Sequence, residues 1–227
     1  MEGFEVKLEE WAYQTDGSHG SEFISYLVST PGVHTLSVGG SAIQIEAGVH
    51  STATATTTNS QFDTVTFTSA FSTTPVVFAS LGSTNDPDPA FARVGNIRTN
   101  SFAAAITEAD ADDYVRSAND DIHWIAIEAV AGTVDGSSTT LQVLVTDVAV
   151  TDSGYEQVVD LSGEDLTRLI VGSKMQTKTG GDSAVARYDQ TSLTATGVTL
   201  YSQEEQSLDN ETTHTTESVG LLLVGGQ

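Results

Sequence analysis

The sequence predicts an all-β protein made of antiparallel β-sandwiches. Short runs rich in Val, Ile, Thr and aromatic residues alternate with clusters of Gly, Ser, Asn and Asp, a pattern typical of strands and turns. A long unit also recurs along the chain, which indicates tandem modules. We expect one module at residues 36–132 and a second at 133–227, preceded by an N-terminal half-module at residues 1–35.

The apolar runs predict the positions of individual strands. In chain order we predict strands at residues 4–8, 42–49, 64–68, 75–81, 122–130, 141–150, 169–175 and 198–202. The threonine-rich stretch at 51–60 fits a strand or an extended linker, because β-branched residues disfavour helix. The helix candidate is 162–169, where Ser162 could cap and Asp165 follows three residues later. A polar turn leading into the next strand explains these residues equally well.

A segment near the start of the chain is repeated at its end. The stretch "GFEVKLEEWAYQTDGSHGSEFISYLV" aligns with "GVTLYSQEEQSLDNETTHTTESVGLLLV". The matched polar residues are Glu9 with Glu204, Glu10 with Glu205, His19 with His214, and Glu22 with Glu217. A middle copy at 101–130 keeps Glu108 and an acid at Asp120, but Ser117 stands at the histidine position. The chain therefore contains three copies of a unit made of a strand, an acidic loop and a strand.

The segment that precedes the repeated unit is itself repeated, but it is present in two copies and not three. Residues 73–102 parallel 166–198, with Arg93 opposite Arg187. Residues 1–35 then correspond to the second half of a module without its first half. An isolated strand pair is marginally stable and its edges recruit partners, so we expect this segment to pack on another subunit, on another protein or across the next module. We predict a homo-oligomer.

The net charge of the chain limits the classes of molecule that it can bind. Asp and Glu number 31 against 8 Lys and Arg, for a formal net charge of -23. Such a surface repels phosphate backbones and anionic bilayers, so we expect neither nucleic acid nor membrane partners. Adaptation to high salt, which screens the self-repulsion, explains this acidity. The alternative is cation binding at the acidic loops 84–89 and 108–113, although neither has the pattern of an EF-hand. We expect solvated loops there and no metal.

Other motifs limit the chemistry further. The chain has no cysteine, which excludes disulfides, thiolate zinc sites and a cysteine nucleophile. Its first ten residues lack the pattern of a secretory signal, and no run of about 18 apolar residues predicts a membrane span. No serine has a convincing histidine and acid partner, and no glycine-rich phosphate loop is present. We therefore expect a protein made in the cytoplasm that is not an enzyme and needs no cofactor.

Several of these stretches together resemble the H-type lectin domain. They are "FSTTPVVFASL", "ARVGNI" and the aromatic strand containing "HWIA", within residues 62–130. The likeness extends more loosely to residues 155–225 and 1–30. This family is a small antiparallel β-sandwich, usually trimeric, and related repeats occur in tail, fibre and surface proteins of viruses that infect prokaryotes. The resemblance implies a trimer.

The resemblance also implies a carbohydrate site. By position, the sugar contacts of the family fall on Arg93, His123 and Trp124. The second module has Leu221 where Trp124 stands, so we do not extend sugar binding to it. Trp124 is also explained as a core aromatic of the sandwich, and His123, its neighbour, should face the opposite side of the strand.

The repeated histidine and glutamate pairs have a structural and a metal-binding interpretation. His19 with Glu22, and His214 with Glu217, offer one imidazole and one carboxylate each. A zinc site needs three or four ligands. We therefore interpret both pairs as hydrogen bonds that fasten the acidic loop to its strand, with a pH-sensitive contact as a consequence.

These expectations combine into one functional hypothesis. We expect a structural, oligomeric component of a virus particle adapted to high salt, such as a fibre, spike, turret or tail piece. It would contact itself, other virion proteins and the host surface, and would be located in the virion. The first alternative is a lectin that binds host surface glycans, and the second is a cellular surface adhesin.

Overall fold

The computed structural model describes residues 6, 24–56, 61–110 and 112–226. Strands dominate these ranges and all of their strand pairs are antiparallel, which confirms the predicted all-β class. Within them there is no α-helix, only one 3₁₀ turn at Gln190–Ser192. No helix in the described ranges is long and apolar enough to cross a membrane.

The first half of the described chain contains seven strands. They are β1 (Gly32–Val38), β2 (Ser41–Thr52), β3 (Asp63–Thr66), β4 (Val76–Leu81), β5 (Ala90–Gly95), β6 (Ser101–Glu108) and β7 (Asp120–Ile127). They form a four-stranded sheet in the order β1-β2-β7-β4 and a three-stranded sheet in the order β3-β6-β5. The segment at 24–30, just before β1, is not part of either sheet.

The second half repeats this strand order. Its strands are β8 (Val130–Thr133), β9 (Thr140–Val145), β10 (Tyr155–Val158), β11 (Ile170–Met175), β12 (Ala184–Asp189), β13 (Gly197–Glu204) and β14 (Val219–Gly225). The four-stranded sheet has the order β8-β9-β14-β11 and the three-stranded sheet the order β10-β13-β12. Each strand thus corresponds to the one seven places earlier. The predicted module boundaries, after residues 35 and 132, fall inside β1 and β8.

Three apolar layers hold the four sheets together. One lies between the two sheets of the first half and contains Phe102 and Trp124. Another lies between the two sheets of the second half and contains Leu221 and Leu223. The third contains Val76 and Leu222 and joins the four-stranded sheets of the two halves. Because successive side chains of a strand point to opposite faces, the central strands β7 and β14 supply two layers at once.

The structure settles the ambiguous segment at 162–169. It forms turns and no helix, so the polar-turn interpretation is correct. The Asp165 carboxylate accepts hydrogen bonds from the amide and hydroxyl of Thr167, a side-chain turn that competes with helical hydrogen bonding. Gly163 has φ +88°, which a helix does not tolerate.

Candidate functional site

A buried ion network lies at one end of the first half. β6 ends at Glu108 and β7 begins at Asp120. The loop that connects these strands places the Arg116 side chain between the two carboxylates. The Arg116 guanidinium donates to Glu108 at 2.8 Å and to Asp120 at 2.5 Å, and all three side chains are at most 1% exposed. Burial alone would lower the pKa of Arg116, but its bonds to Glu108 and Asp120 outweigh burial and raise it.

Asp86, on the connection from β4 to β5, completes this network. Its carboxylate lies 3.5 Å from the Arg116 guanidinium and accepts hydrogen bonds from the amide and hydroxyl of Ser117. The bond from the Ser117 hydroxyl is the main cause that lowers the pKa of Asp86 to about 2. Both predicted acidic loops, 84–89 and 108–113, therefore meet at one place, where Asp86 and Glu108 are buried and Asp88 is exposed.

A second buried network occupies the same place in the second half. The His214 ring lies between Glu204, 3.0 Å from Nδ1, and Glu217, 3.2 Å from Nε2. These three side chains are at most 2% exposed. Burial opposes the charged ring, but the hydrogen bonds to Glu217 and Glu204 outweigh it and raise the pKa of His214. Burial also raises the pKa of Glu204 despite its bond to His214.

The two networks share a plan but use different cations. In each half, one acid lies at the end of a strand and a second acid lies at or just before the start of the next strand; the strands are β6 and β7 in the first half and β13 and β14 in the second. A basic side chain from the loop that connects the two strands lies between these acids. Arg116 does in the first half what His214 does in the second. Sequence alignment places Ser117 opposite His214 and so overlooks Arg116 one position earlier. The available signal is a single arginine in an otherwise acidic loop.

Arg93 connects the two halves. Although it starts on β5 of the first half, its guanidinium donates to Glu217 at 2.8 Å, to the Ala184 carbonyl at 2.9 Å and to the Thr177 carbonyl at 2.7 Å. Arg93 is 2% exposed and Glu217 is fully buried. The matched arginine of the second half, Arg187, instead bonds Gln203 at an exposed position.

Two further side chains cross between the halves. The Gln176 amide pairs with the Val77 backbone in both directions, each bond being 2.9 Å. The Lys174 ammonium donates to the Ala92 carbonyl. Burial, and the charge of Arg93, lower the pKa of Lys174 to about 7. The cavity beside this lysine measures about 80 Å³, well below the ~300–1,000 Å³ of ligand pockets.

The residues predicted for sugar binding do not share an accessible surface. Trp124 is 8% exposed and packs edge-on against Phe102, with ring centroids 5.3 Å apart. Arg93 is buried between the halves, as described above. His123 is exposed and lies on the opposite face of β7 from Trp124. The core interpretation of Trp124 agrees with these positions.

One predicted polar pair falls beyond what the structure describes. His19 and Glu22 lie outside the described residues, and so do Glu9 and Glu10. His214 and Glu217 make the hydrogen bond that the spacing predicts, within the loop that leads into β14. The network around them also includes Arg93, which the repeat does not reveal.

Comparison with known proteins finds a relative that aligns with most of the chain. No protein-family model matches the chain, and no solved structure shows significant similarity to it. The chain is 28% identical over 233 residues to Halomucin of Haloquadratum walsbyi (strain DSM 16790 / HBSQ001). The alignment spans 96% of the chain but only 2% of Halomucin, so the chain is similar to a small segment of a much longer protein.

Proposed function

We propose that the chain is a non-catalytic structural element of a large, salt-adapted assembly exposed at the surface of a virus particle or a cell. The observation that carries this proposal is the joint between the halves. An apolar layer containing Val76 and Leu222 and the buried pair of Arg93 with Glu217 make both halves one continuous stack of sheets. A stack of this kind is suited to bear load and to be repeated in series.

The positions and partners of the ionisable groups support a non-catalytic role. In the described ranges, the acids and cations of the two buried networks bond one another. Catalytic acids and bases need contact with a substrate, whereas Glu217, His214 and Arg116 lie in the interior.

Composition and relatedness support a salt-adapted surface setting. The net charge of -23 fits a solvent in which salt screens repulsion. The likeness to 2% of Halomucin, by name a mucin of a halophile, fits a segment used as a building block in a longer surface chain. That relative favours the cell-surface form, while the resemblance to viral fibre repeats favours the virion form. In the virion form we expect a homotrimer held by residues 1–35.

Localisation distinguishes the two forms. Antibodies raised against the folded protein would be applied, in molar salt, to intact cells and to purified virus particles from the source culture. Labelling of either surface supports the proposal and identifies the form. Antigen confined to the cell interior would overturn it.

Light scattering in molar KCl, with and without residues 1–35, tests the assembly. A trimer that becomes a monomer on truncation supports the predicted role of this segment. Equal masses would remove that role. A glycan array run on the same protein tests the lectin alternative, for which we expect no binding through Arg93 or Trp124 because both are buried.

A further inference from the structure

We propose that the acidic loops at 84–89 and 108–113 together form a site for a hard divalent cation of the calcium class. Asp86 and Asp88 come from the connection between β4 and β5, and Glu108 from the end of β6. One carboxylate oxygen of each lies within 4.8 Å of the others. The fold therefore converges three oxygen ligands from two loops that are distant in sequence.

The ligand set suits calcium better than magnesium. Ca²⁺ accepts several carboxylate oxygens at about 2.3–2.6 Å in flexible geometry. Mg²⁺ demands near-ideal octahedral geometry at about 2.0–2.1 Å and is usually held by one or two carboxylates plus water. Three carboxylates from two separate loops, with oxygens within 4.8 Å of one another, therefore favour calcium.

An unpartnered oxygen points to a missing ligand. Glu108 is fully buried, and its Oε1 accepts from Arg116 at 2.8 Å, but its Oε2 is buried and has no hydrogen-bond partner. A buried carboxylate oxygen without a partner is costly. One oxygen of this carboxylate also lies within 4.8 Å of an oxygen of each aspartate.

Charge balance separates this network from its counterpart. In the second half, Glu204 and Glu217 face the Arg93 guanidinium and the His214 ring. In the first half, the three buried carboxylates of Asp86, Glu108 and Asp120 surround a single guanidinium, that of Arg116. The exposed carboxylate of Asp88 lies beside those of Asp86 and Glu108. Three buried negative charges around one positive charge favour a further cation or a bound proton.

The site has an opening to solvent. Asp88 is exposed, whereas Asp86 and Glu108 are buried, so an ion can enter past Asp88 and keep water on that side. Three protein oxygens plus water make a weak site, with a dissociation constant of about 10⁻⁴–10⁻³ M as in extracellular calcium modules. Arg116 beside the site weakens it further. The proposal is independent of the proposed function.

Isothermal titration of the full chain with CaCl₂ tests the site. Protein treated with chelator and held in molar KCl should show saturable binding of one Ca²⁺, and MgCl₂ should bind at least tenfold more weakly. Asp88→Asn removes an exposed ligand and should abolish saturable binding while the fold persists. Glu108→Gln should do the same. Asp209→Asn, which changes an exposed aspartate far along the chain, is the matched control and should bind like wild type.

Three results would overturn the assignment. The first is no saturable Ca²⁺ binding by wild type. A melting temperature that then rises at lower pH in wild type but not in Glu108→Gln would show that a proton supplies the missing charge instead. The second is equal loss in Asp209→Asn and Asp88→Asn, which would mean diffuse attraction to the acidic surface. The third is Mg²⁺ binding as tight as Ca²⁺.

Discussion

The Glu217 carboxylate accepts a hydrogen bond from Arg93 at 2.8 Å, although the two residues belong to different halves of the chain. The same oxygen lies 3.2 Å from Nε2 of His214. Burial raises the pKa of Glu217, but the bond from His214 and the charge of Arg93 outweigh it and lower the pKa overall. One buried carboxylate therefore links the acidic loop of the second half to a strand of the first.

Loss of Arg93 should destabilise the whole chain. Arg93→Ala leaves Glu217 buried without its guanidinium, and breaking a buried pair in this way costs about 3–5 kcal/mol. Urea denaturation in molar KCl would measure the free energy of unfolding. The matched control is Arg187→Ala on β12, whose side chain bonds Gln203 at an exposed position; we expect a change within about 0.5 kcal/mol there. Equal effects of the two substitutions would contradict the role of Arg93.

Trp124→Ala should act through the core. The ring fills the first apolar layer beside Phe67 and Phe102, and removing a buried aromatic ring costs about 3–5 kcal/mol. Thermal unfolding followed by circular dichroism would detect the loss. His123→Ala, at the exposed neighbouring position, should change stability little. A Trp124→Ala protein of normal stability that had lost binding to a glycan would instead support the lectin alternative.

Protonation of His214 should stabilise the fold. Because its folded pKa is raised, its contribution is complete below the ordinary histidine pKa of about 6.5 and is lost as pH rises through the higher folded value. The lowered pKa of Glu217 acts in the opposite sense and is lost only in acid. Lys174 and Lys178, with pKa values lowered to about 7 and about 8, add stability as pH rises.

The difference between wild type and His214→Gln isolates the histidine from these other groups. Melting temperatures from pH 5 to 9 should show a gap that is largest in acid and narrows toward pH 9. His123→Gln, an exposed control, should follow the wild-type curve. A gap independent of pH would mean that the ring acts only by shape and neutral hydrogen bonding.

Salt should stabilise the protein steeply. With a net charge of -23, self-repulsion weakens as the screening length falls from about 10 Å at 0.1 M to about 3 Å at 1 M. We expect the melting temperature to rise strongly over this range of KCl and then to level off. A protein equally stable at both concentrations would refute salt adaptation as the reason for its acidity.

The strand pattern was readable from sequence because one face of each strand is apolar and turns separate the runs. β2, β4, β11 and β13 lie close to their predicted positions. β5 and β12 were missed because alanine and charged residues interrupt their apolar pattern, as in "AFARVG". Arg93, on β5, is buried because the second half covers the first, which no local pattern reports.

Only the part of the candidate site that depends on local spacing could be predicted from the sequence. Spacing in the repeat identified His214 with Glu217, since residues three apart in a loop lie close enough to bond. The partnership of Glu217 with Arg93, 124 positions away in sequence, depends on how the halves pack. The meeting of the loops at 84–89 and 108–113 likewise follows from the order of the strands.

Gly220 offers a direct test of the contact between the halves. On β14 it lies against β4, and a Cβ added there would stand 2.4 Å from Cγ1 of Val76 and 2.8 Å from the Gln176 amide nitrogen. Gly220→Ala should therefore push the halves apart, with a cost of about 1–3 kcal/mol for overpacking. Gly181→Ala is the matched control, because a Cβ at Gly181 meets open space. Differential scanning calorimetry in molar KCl would compare them: we expect a lower melting temperature for Gly220→Ala alone, and equal melting temperatures would mean that the halves do not pack as closely as this contact requires.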